Sequence, residues 1–154
     1  MKITQEDLEY VGLKARLGAS IIDALIESVI CIPLLLAFYG KAYFKGGGTK
    51  GSLDFFLNYI FPGIFTLVFW FWKQSTPGKI ALSARIVNAT TGKKPSALQF
   101  VGRYFAYFLS ALPLGVGFLW IAFDSKKRGF HDILAGTVVV RPKKRVSDVA
   151  FDVE

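Results

Sequence analysis

Four polar residues share one stripe of the first long apolar segment in this chain. They occupy positions i, i+4, i+7 and i+11 of one helix face: Arg16, Ser20, Asp23 and Glu27. An ionisable group inside a membrane span is costly, so it faces protein or water rather than lipid. Three such groups on one stripe predict that this helix packs against a partner.

Asp23 and Glu27 are one helical turn apart, and this closeness disfavours ionisation of both carboxyls. One of them is therefore expected to hold a proton or to share a cation. Exchange of a proton for a hard cation on carboxylate oxygens is what a proton-coupled cation site needs. Asn58 and Thr66, on one face of the second apolar segment, are candidates for such a site. An equally supported alternative is structural: a protonated carboxyl hydrogen-bonds Asn58 or Thr66 and holds two helices together.

The composition of the chain indicates whether these segments fold in water or in a membrane. The chain has 154 residues, of which 53% are hydrophobic, and its mean hydropathy is +0.43. These values predict a multi-pass membrane protein with one compact domain. The net charge of +8 favours contact with anionic lipid headgroups, and we identify no nucleic-acid-binding motif. The predicted lipid-binding cluster is Lys143, Lys144 and Arg145.

Three apolar blocks supply the candidate membrane segments of an all-α membrane protein. The first runs over about residues 15–38 and the second over 53–72, and each is long enough for a hydrocarbon core of about 30 Å. The third block, at about 97–123, is broken by Pro113, Gly115 and Gly117.

The distribution of basic residues indicates whether the third block crosses the membrane or returns to the side from which it enters. If this block enters and leaves on one side, 16 lysines and arginines lie on that side against 3 on the other, whereas a full crossing leaves no bias. Basic residues concentrate on the cytoplasmic side of membrane proteins. We therefore expect two full transmembrane helices and a re-entrant third block, with both termini and residues 73–95 cytoplasmic.

Two short β-prone runs lie outside the apolar blocks. Ile80, Leu82, Ala84 and Ile86 alternate with smaller or polar residues, and Thr137–Val140 are all β-branched. Because both runs flank membrane segments on the same predicted side, we expect Thr137–Val140 to pair with Ala81–Val87 in a small cytoplasmic β-hairpin element.

The predicted organisation has three parts. Residues 1–14 form a polar arm with an interfacial helix around Glu6 to Leu13, residues 15–141 form the transmembrane domain, and residues 142–154 form a disordered cytoplasmic tail.

Three separated segments form one recognisable pattern. The first places Asp23 seven residues after Arg16, and the second is Thr76-Pro77-Gly78-Lys79 followed by Arg85-Ile86-Val87. The third contains Trp120, Asp124, Arg128-Gly129, His131-Asp132, Ala135-Gly136-Thr137 and Val139-Val140. Together, over about residues 12–141, they closely resemble the RDD family of small bacterial and archaeal membrane proteins, which is named for one arginine and two aspartates.

The resemblance implies roles for particular residues. Arg16 matches the family's arginine, Asp23 its first aspartate, and either Asp124 or Asp132 its second. It also implies a structural ion pair of Arg16 with Asp124 or Asp132. The alternative is that Arg16 snorkels to the membrane surface and anchors the helix. The implied location is the inner (cytoplasmic) cell membrane.

His131 and Asp132 are the remaining candidates for chemistry. One histidine without a second histidine or a cysteine partner is a poor metal site, so we predict no metal and no cofactor. We expect the pair to cap the C-terminal turn, or to tie it to the segment that contains Lys79 and Arg85. We see no set of nucleophile, base and orienting group, so the sequence predicts no enzymatic activity and no catalytic residues.

Two classes of function stay open. Some members of the family have been described as cation/proton antiporters, so the resemblance implies ion transport of a monovalent cation and H⁺. A complete pathway is hard to build from so few spans, so transport would require a homo-oligomer. The alternative is a non-transporting membrane scaffold or accessory protein in which the arginine and aspartates are structural.

Overall fold

The computed structural model describes residues 7–46, 50–112 and 115–143. Its helices are α1 (Leu13–Tyr39), α2 (Ser52–Phe55), α3 (Phe61–Lys73), α4 (Pro77–Ala81), α5 (Ala97–Ala111), α6 (Val116–Leu119) and α7 (Phe130–Leu134). Its strands are β1 (Leu8–Tyr10), β2 (Arg85–Asn88) and β3 (Thr137–Pro142). Short 3₁₀ turns cover Lys41–Lys45 and Trp120–Ala122, and a π-helical turn covers Phe56–Ile60.

Two helices are long and apolar enough to cross a membrane. They are α1, with 27 residues, and the continuous helical run Ser52–Lys73, with 22. Large apolar side chains on α1 remain uncovered, and Leu17 and Val29 are 60% and 75% exposed. Such a surface is typical of a lipid-facing helix. The prediction of two full-length apolar helices is therefore confirmed.

The second long helix changes its winding near its start. The π-helical turn Phe56–Ile60 joins α2 to α3 and ends just before Pro62. Proline has no N–H to bond the carbonyl four residues earlier, which here belongs to Asn58. The interruption therefore falls where the regular hydrogen-bond ladder cannot continue.

The third apolar block is broken, as predicted. Helix α5 and the segment Val116–Ala122 meet at an angle of 113°. Gly115 has a φ of 77°, a left-handed conformation that glycine adopts without strain, while Pro113 lies outside the described residues. A side chain at Gly117 would meet the Ser110 backbone at 2.6 Å, so α6 folds closely back onto α5. Up to three membrane crossings are possible if this bent pair counts as one.

A three-stranded antiparallel sheet lies beside the helices, in the order β1-β3-β2. Ile86 pairs with Val139 in β3, and Glu9 pairs with Arg141 on the other edge of the same strand. The sheet therefore joins the residues before α1, the residues after α3 and α4, and the end of the described chain.

The predicted strand pairing is correct in part. Arg85–Asn88 do pair with Thr137–Val140, but the strand does not extend back to Ala81, which belongs to α4. Pro77 begins that short helix because its fixed φ suits a first turn, and Thr76 caps it through its side chain. The alternation of apolar residues therefore predicted a strand where the first half of the segment forms the helix α4.

The predicted interfacial helix near the N-terminus is wrong. Leu8–Tyr10 form β1, and the Val11 amide donates to the Val139 carbonyl at 3.0 Å. Val11 is only 1% exposed. Edge pairing with β3 and burial of Val11 outweigh the weak helix preference of so short a segment. At the other end of this sheet, the Lys143 amide donates to the Asp7 carbonyl at 2.8 Å.

One face of the sheet forms the core with the helices. The cluster comprises Val11, Trp70, Ala84, Ile86, Phe100 and Val139. These side chains come from all three strand regions and from α3 and α5, so the sheet fixes how the long helices meet.

Candidate functional site

A buried charge cluster joins α1, α5 and α7 around Asp132. The Arg16 Nη1 atom lies 2.5 Å from Asp132 Oδ2, and Arg103 Nη1 binds the other carboxylate oxygen. The Gly129 amide also donates to Asp132 at 3.0 Å. Burial alone would raise the pKa of Asp132, but the positive charges of Arg103 and Arg16 outweigh it and lower that pKa. Asp132 is therefore an ionised carboxylate between two guanidinium groups.

The remaining donors of Arg16 fix its position further. Its Nε donates to the Val11 carbonyl at 2.9 Å, and its Nη2 donates to the Lys127 carbonyl at 2.5 Å. Arg16 is only 7% exposed. It is thus a buried structural link rather than a group that reaches for the membrane surface.

Arg103 is a site residue that the sequence analysis missed. It is fully buried, it donates to Thr137 Oγ1 at 2.6 Å, and its guanidinium carbon lies 5.3 Å from the Trp70 ring and 5.8 Å from the Tyr107 ring. The available signal is its position on the buried face of α5. That face comprises Phe100, Arg103, Ala106 and Ser110.

The two aspartates that fit the C-terminal pattern have different partners. Asp124 forms a local pair with Arg128, four residues later, at 2.9 Å. Hydrogen bonds from Arg128 lower the pKa of Asp124 to about 2. Of the two alternatives, Asp132 and not Asp124 is the partner of Arg16.

His131 packs against α5. Its ring stacks on Tyr107 with centroids 4.2 Å apart, and its Nδ1 lies 3.3 Å from Ser110 Oγ. Burial lowers the pKa of His131 to about 3, so the ring is neutral at physiological pH. The expected tie to the segment of Lys79 and Arg85 is replaced by this contact with α5, whereas the expected capping is made by Asp132, which accepts from the Gly129 amide at the start of α7.

Ser110, His131 and Asp132 have the residue types of a hydrolytic triad, but their geometry is structural. The Ser110 hydroxyl donates to the Ala106 carbonyl at 2.9 Å and accepts from the His131 amide at 3.0 Å. The 3.5 Å separation of His131 Nε2 and Asp132 Oδ2 is long for a hydrogen bond, and both carboxylate oxygens bind arginine. Across the described ranges, no group of three or more histidine, cysteine, aspartate or glutamate side chains could hold a metal ion.

Asp23 binds the N-terminal end of α4, where the short loop after α3 enters that helix. Its Oδ2 accepts from the Thr76 hydroxyl and its Oδ1 from the Gly78 amide, both at 2.6 Å. A side chain at Gly78 would collide with the Ala19 carbonyl, so glycine allows the loop to approach α1. The expected hydrogen bond of a carboxyl on this stripe to Asn58 or Thr66 is therefore not made by Asp23. We call these contacts of Asp23 with Thr76 and Gly78 the Asp23 clamp.

Lys79 is buried next to this clamp. It is 7% exposed, and its Nζ lies 3.3 Å from Thr76 Oγ1. Within the described part of the chain, it has no carboxylate at salt-bridge distance. Burial lowers the pKa of Lys79, because a charged ammonium is poorly solvated there.

A cavity of about 340 Å³ lies between α1, α3, α4 and α5. We call it the Glu27 cavity. Glu27, Thr66 and Asp23 all line it, so the structure brings together three of the four predicted cation-site residues. The complete lining is Ser20, Asp23, Ala24, Glu27, Tyr59, Pro62, Gly63, Thr66, Trp70, Thr76, Lys79, Tyr104, Tyr107 and Phe108.

Asn58, the fourth predicted residue, belongs to a separate cluster. Its Nδ2 donates to Asp54 Oδ1 at 2.6 Å, and the Tyr43 hydroxyl donates to the same oxygen at 2.6 Å. Asp54 also accepts from the Lys50 amide at 2.7 Å. This cluster ties the 3₁₀ turn after α1 to the start of the second long helix.

The predicted lipid-binding cluster is described only at its first residue. Lys143 is exposed at the end of β3. Lys144 and Arg145 lie outside the described residues.

Comparison with known proteins identifies the relatives of this chain. The RDD family model matches residues 10–136. The uncharacterized protein YckC of Bacillus subtilis is 30% identical over 132 residues, which cover 83% of this chain and 82% of YckC. RP437 of Rickettsia prowazekii is 37% identical over 58% of this chain and 49% of its own length, and YxaI of B. subtilis is 48% identical over 44% and 43%. The matches thus span about half the length of RP437 and YxaI. No solved structure matches the chain.

Proposed function

This chain belongs to the RDD family, and we propose that it is a membrane transport component that exchanges a cation for a proton at Glu27. The observation that carries the proposal is the isolation of this carboxyl. Glu27 lies in the middle of α1, lines the Glu27 cavity, and has neither a hydrogen bond nor an ion pair to any described residue. An unpaired ionisable group inside a span is costly, and such groups commonly mark ion and proton pathways.

Asp23 has a different role in this proposal. Both of its carboxylate oxygens accept hydrogen bonds from the N-terminal end of α4. A group held in this way is not free to trade a proton for a cation at each cycle. The exchange therefore belongs to Glu27 alone, with Thr66 as a neighbouring oxygen donor.

The sheet supports the topology that the charge distribution predicts. β1 immediately precedes α1, β2 follows the end of α3, and β3 pairs with both strands. If α1 and the second long helix each cross the membrane, β1 and β2 lie on one side, and β3 must return to that side. This favours a third block that enters and leaves on the same face. On this basis we assign both termini and residues 73–95 to the cytoplasm, at the inner membrane.

The assembly proposed for transport is a homo-oligomer. Two membrane-spanning helices and one bent helix pair are too few to enclose an ion pathway, so helices of neighbouring copies would complete it. The exposed Lys143 and its basic neighbours in sequence would contact anionic lipid headgroups.

A scaffold or accessory role is the second candidate. It is favoured by the state of the three residues that match the family pattern, since Arg16 and Asp132 bind each other and Asp23 binds the loop. In this case the charges position the sheet under the helices, and the protein moves no ions.

Proteoliposomes distinguish the two functions. The purified full chain is reconstituted with a pH-sensitive dye inside, and gradients of Na⁺, K⁺ or an organic monovalent cation such as tetramethylammonium are applied outside. We expect cation-dependent proton flux for the wild type, no flux for Glu27→Gln, and unchanged flux for the control Glu9→Gln, whose side chain pairs with Arg141 on the sheet. Absence of flux in the wild type would support the scaffold, and equal flux in Glu27→Gln would exclude Glu27.

A further inference from the structure

We infer that the Glu27 cavity binds an alkylammonium group, free or carried by a lipid, rather than a bare alkali metal ion. The inference rests on the proposed role of this cavity and names the class of its ligand. It follows from the size of the cavity, the single free carboxylate and the aromatic rings in the lining.

The cavity is large for a dehydrated metal ion. Its volume of about 340 Å³ falls in the range of sites for small organic molecules, which is about 300–1,000 Å³. A hard metal cation needs several oxygen ligands that converge on one point. An organic cation instead needs space, apolar walls and one compensating charge.

The carboxylate oxygens around the cavity are not equally available. The two Asp23 oxygens accept from Thr76 and Gly78, and the Ser20 hydroxyl donates to the Arg16 carbonyl at 3.1 Å. The Glu27 carboxyl remains, with the hydroxyls of Thr66 and of the tyrosines. This set provides one free anionic group, and its other members are neutral hydroxyls.

Three aromatic side chains in the lining have faces that no described cation occupies. They are Tyr59, Tyr104 and Phe108. The other two rings in the lining are already covered, because Arg103 lies over Trp70 and His131 stacks on Tyr107. Aromatic faces attract ammonium groups, and aromatic cages are the usual means of binding quaternary ammonium.

Tyr104 reaches the cavity because α3 has a glycine opposite to it. A side chain at Gly63 would collide with the Tyr104 hydroxyl. Tyr59, by contrast, is 65% exposed and stacks on Phe55 with centroids 5.2 Å apart. The cavity thus combines one deep ring with one that lies at its open side, where an alkyl chain could extend.

Two charged groups besides Glu27 face this space. Asp23 from α1 adds negative charge, and Lys79 from α4 is the single cationic residue in the lining. The Lys79 amine is turned towards Thr76 Oγ1, and burial lowers its pKa, so it opposes a bound cation less than an exposed lysine would. The balance of charge favours a cation next to Glu27.

Tryptophan fluorescence tests the ligand class independently of transport. Trp72 and Trp120 are 66% and 44% exposed, so Trp72→Phe and Trp120→Phe together leave buried Trp70 as the reporter in the cavity wall. The full chain in detergent is titrated with tetramethylammonium chloride, NaCl or KCl at constant ionic strength. We expect a saturable change with tetramethylammonium alone.

Matched variants locate the binding. Glu27→Gln should weaken tetramethylammonium binding by about tenfold or more, because a charge-assisted contact is lost. Tyr59→Leu should also weaken it, while Tyr59→Phe and Glu9→Gln should not. Tyr59 is exposed, so its variants keep the inference testable if Glu27→Gln fails to fold.

Nanodiscs distinguish the two sources of the ammonium group. If a lipid supplies it, tetramethylammonium should bind more weakly in phosphatidylcholine nanodiscs than in phosphatidylglycerol nanodiscs. Equal binding in both supports a free ligand. Saturable binding of Na⁺ or K⁺ without tetramethylammonium binding, or tetramethylammonium binding that Glu27→Gln leaves unchanged, would overturn the inference.

The outcomes also separate this inference from the proposed function. Metal-ion-driven proton flux that depends on Glu27, without tetramethylammonium binding, would retain exchange and overturn the ligand class. Tetramethylammonium binding that depends on Glu27, without proton flux, would support the ligand class and overturn exchange.

Discussion

Arg16 and Asp132 are 116 positions apart in the chain, and their side chains form an ion pair at 2.5 Å. Arg103 binds the same carboxylate from α5, so one buried aspartate joins three helices. A buried cluster of this kind costs desolvation to form. Removal of Asp132 would leave two buried guanidinium groups without a counter-charge, whereas removal of Arg16 would leave Asp132 with Arg103 alone. The cluster therefore specifies one arrangement of the helices more than it adds net stability.

The first prediction follows from that asymmetry. Arg16→Ala should destabilise the fold by about 3–5 kcal/mol and lower the folded yield in detergent, because Asp132 loses one of its two cationic partners and two backbone carbonyls lose their donor. The double variant Arg16→Ala/Asp132→Ala should lose less than the sum of the two single variants, because Asp132→Ala alone strands both arginines and the double variant strands Arg103 only. Melting followed by size-exclusion chromatography measures both.

A matched control is the part-buried local pair of Asp124 with Arg128. Arg128 is 27% exposed at its side chain, so Arg128→Ala should cost no more than about 1 kcal/mol. A normal melting temperature for Arg16→Ala would show that Arg16 contributes no buried pair.

The second prediction concerns acid stability and His131. The ordinary pKa of 6.5 falls to about 3 in the folded protein, because burial disfavours the charged ring. Between these values the unfolded chain binds a proton that the folded chain does not, so stability decreases as pH falls below about 6.5, by up to about 1.4 kcal/mol per pH unit. Melting temperatures should therefore decline from pH 7.5 to pH 5.

His131→Phe tests the assignment of that slope. Phenylalanine keeps the stacking on Tyr107 but cannot titrate, so its melting temperature should change less over the same pH range. An equal slope in both proteins would assign the acid sensitivity to other groups.

The sequence predicted the elements that depend on composition and missed those that depend on tertiary contacts. The two long helices follow from their apolar length, and the break in the third block follows from its proline and glycines. β1 could not be found, because three residues carry no periodicity and form a strand only beside β3. A helical stripe also identified Asp23 without its partners, since Thr76 and Gly78 lie at the start of α4, 53 and 55 positions away.

The choice between Asp124 and Asp132 shows the same limit. Both aspartates fit the family pattern, and only the fold shows that Asp132 faces Arg16 while Asp124 is held by Arg128. In the sequence, Arg103 is only one of several basic residues next to an apolar block. The structure shows that it is buried over the Trp70 ring.

The third prediction tests the membrane topology. Ser125→Cys and Ser147→Cys, each in a Cys31→Ser background, should react with a permeant thiol reagent but resist an impermeant one applied to intact cells. This result is expected because Ser125 precedes β3, which pairs with the strands next to both long helices. Labelling of Ser125→Cys from outside would require the third block to cross the membrane.

The last prediction separates the Asp23 clamp from the Glu27 cavity. Asp23→Asn keeps one oxygen but replaces the other with an amide that cannot accept a hydrogen bond from Thr76 or Gly78. We expect a loss of about 1–3 kcal/mol in stability, and a larger loss for Gly78→Ala, whose methyl group would collide with the Ala19 carbonyl. Glu27→Gln should leave the melting temperature nearly unchanged, because Glu27 has no partner among the residues described. If Asp23→Asn instead melts like the wild type and abolishes cation-driven proton flux, Asp23 is the exchanging carboxyl and the clamp does not hold the loop.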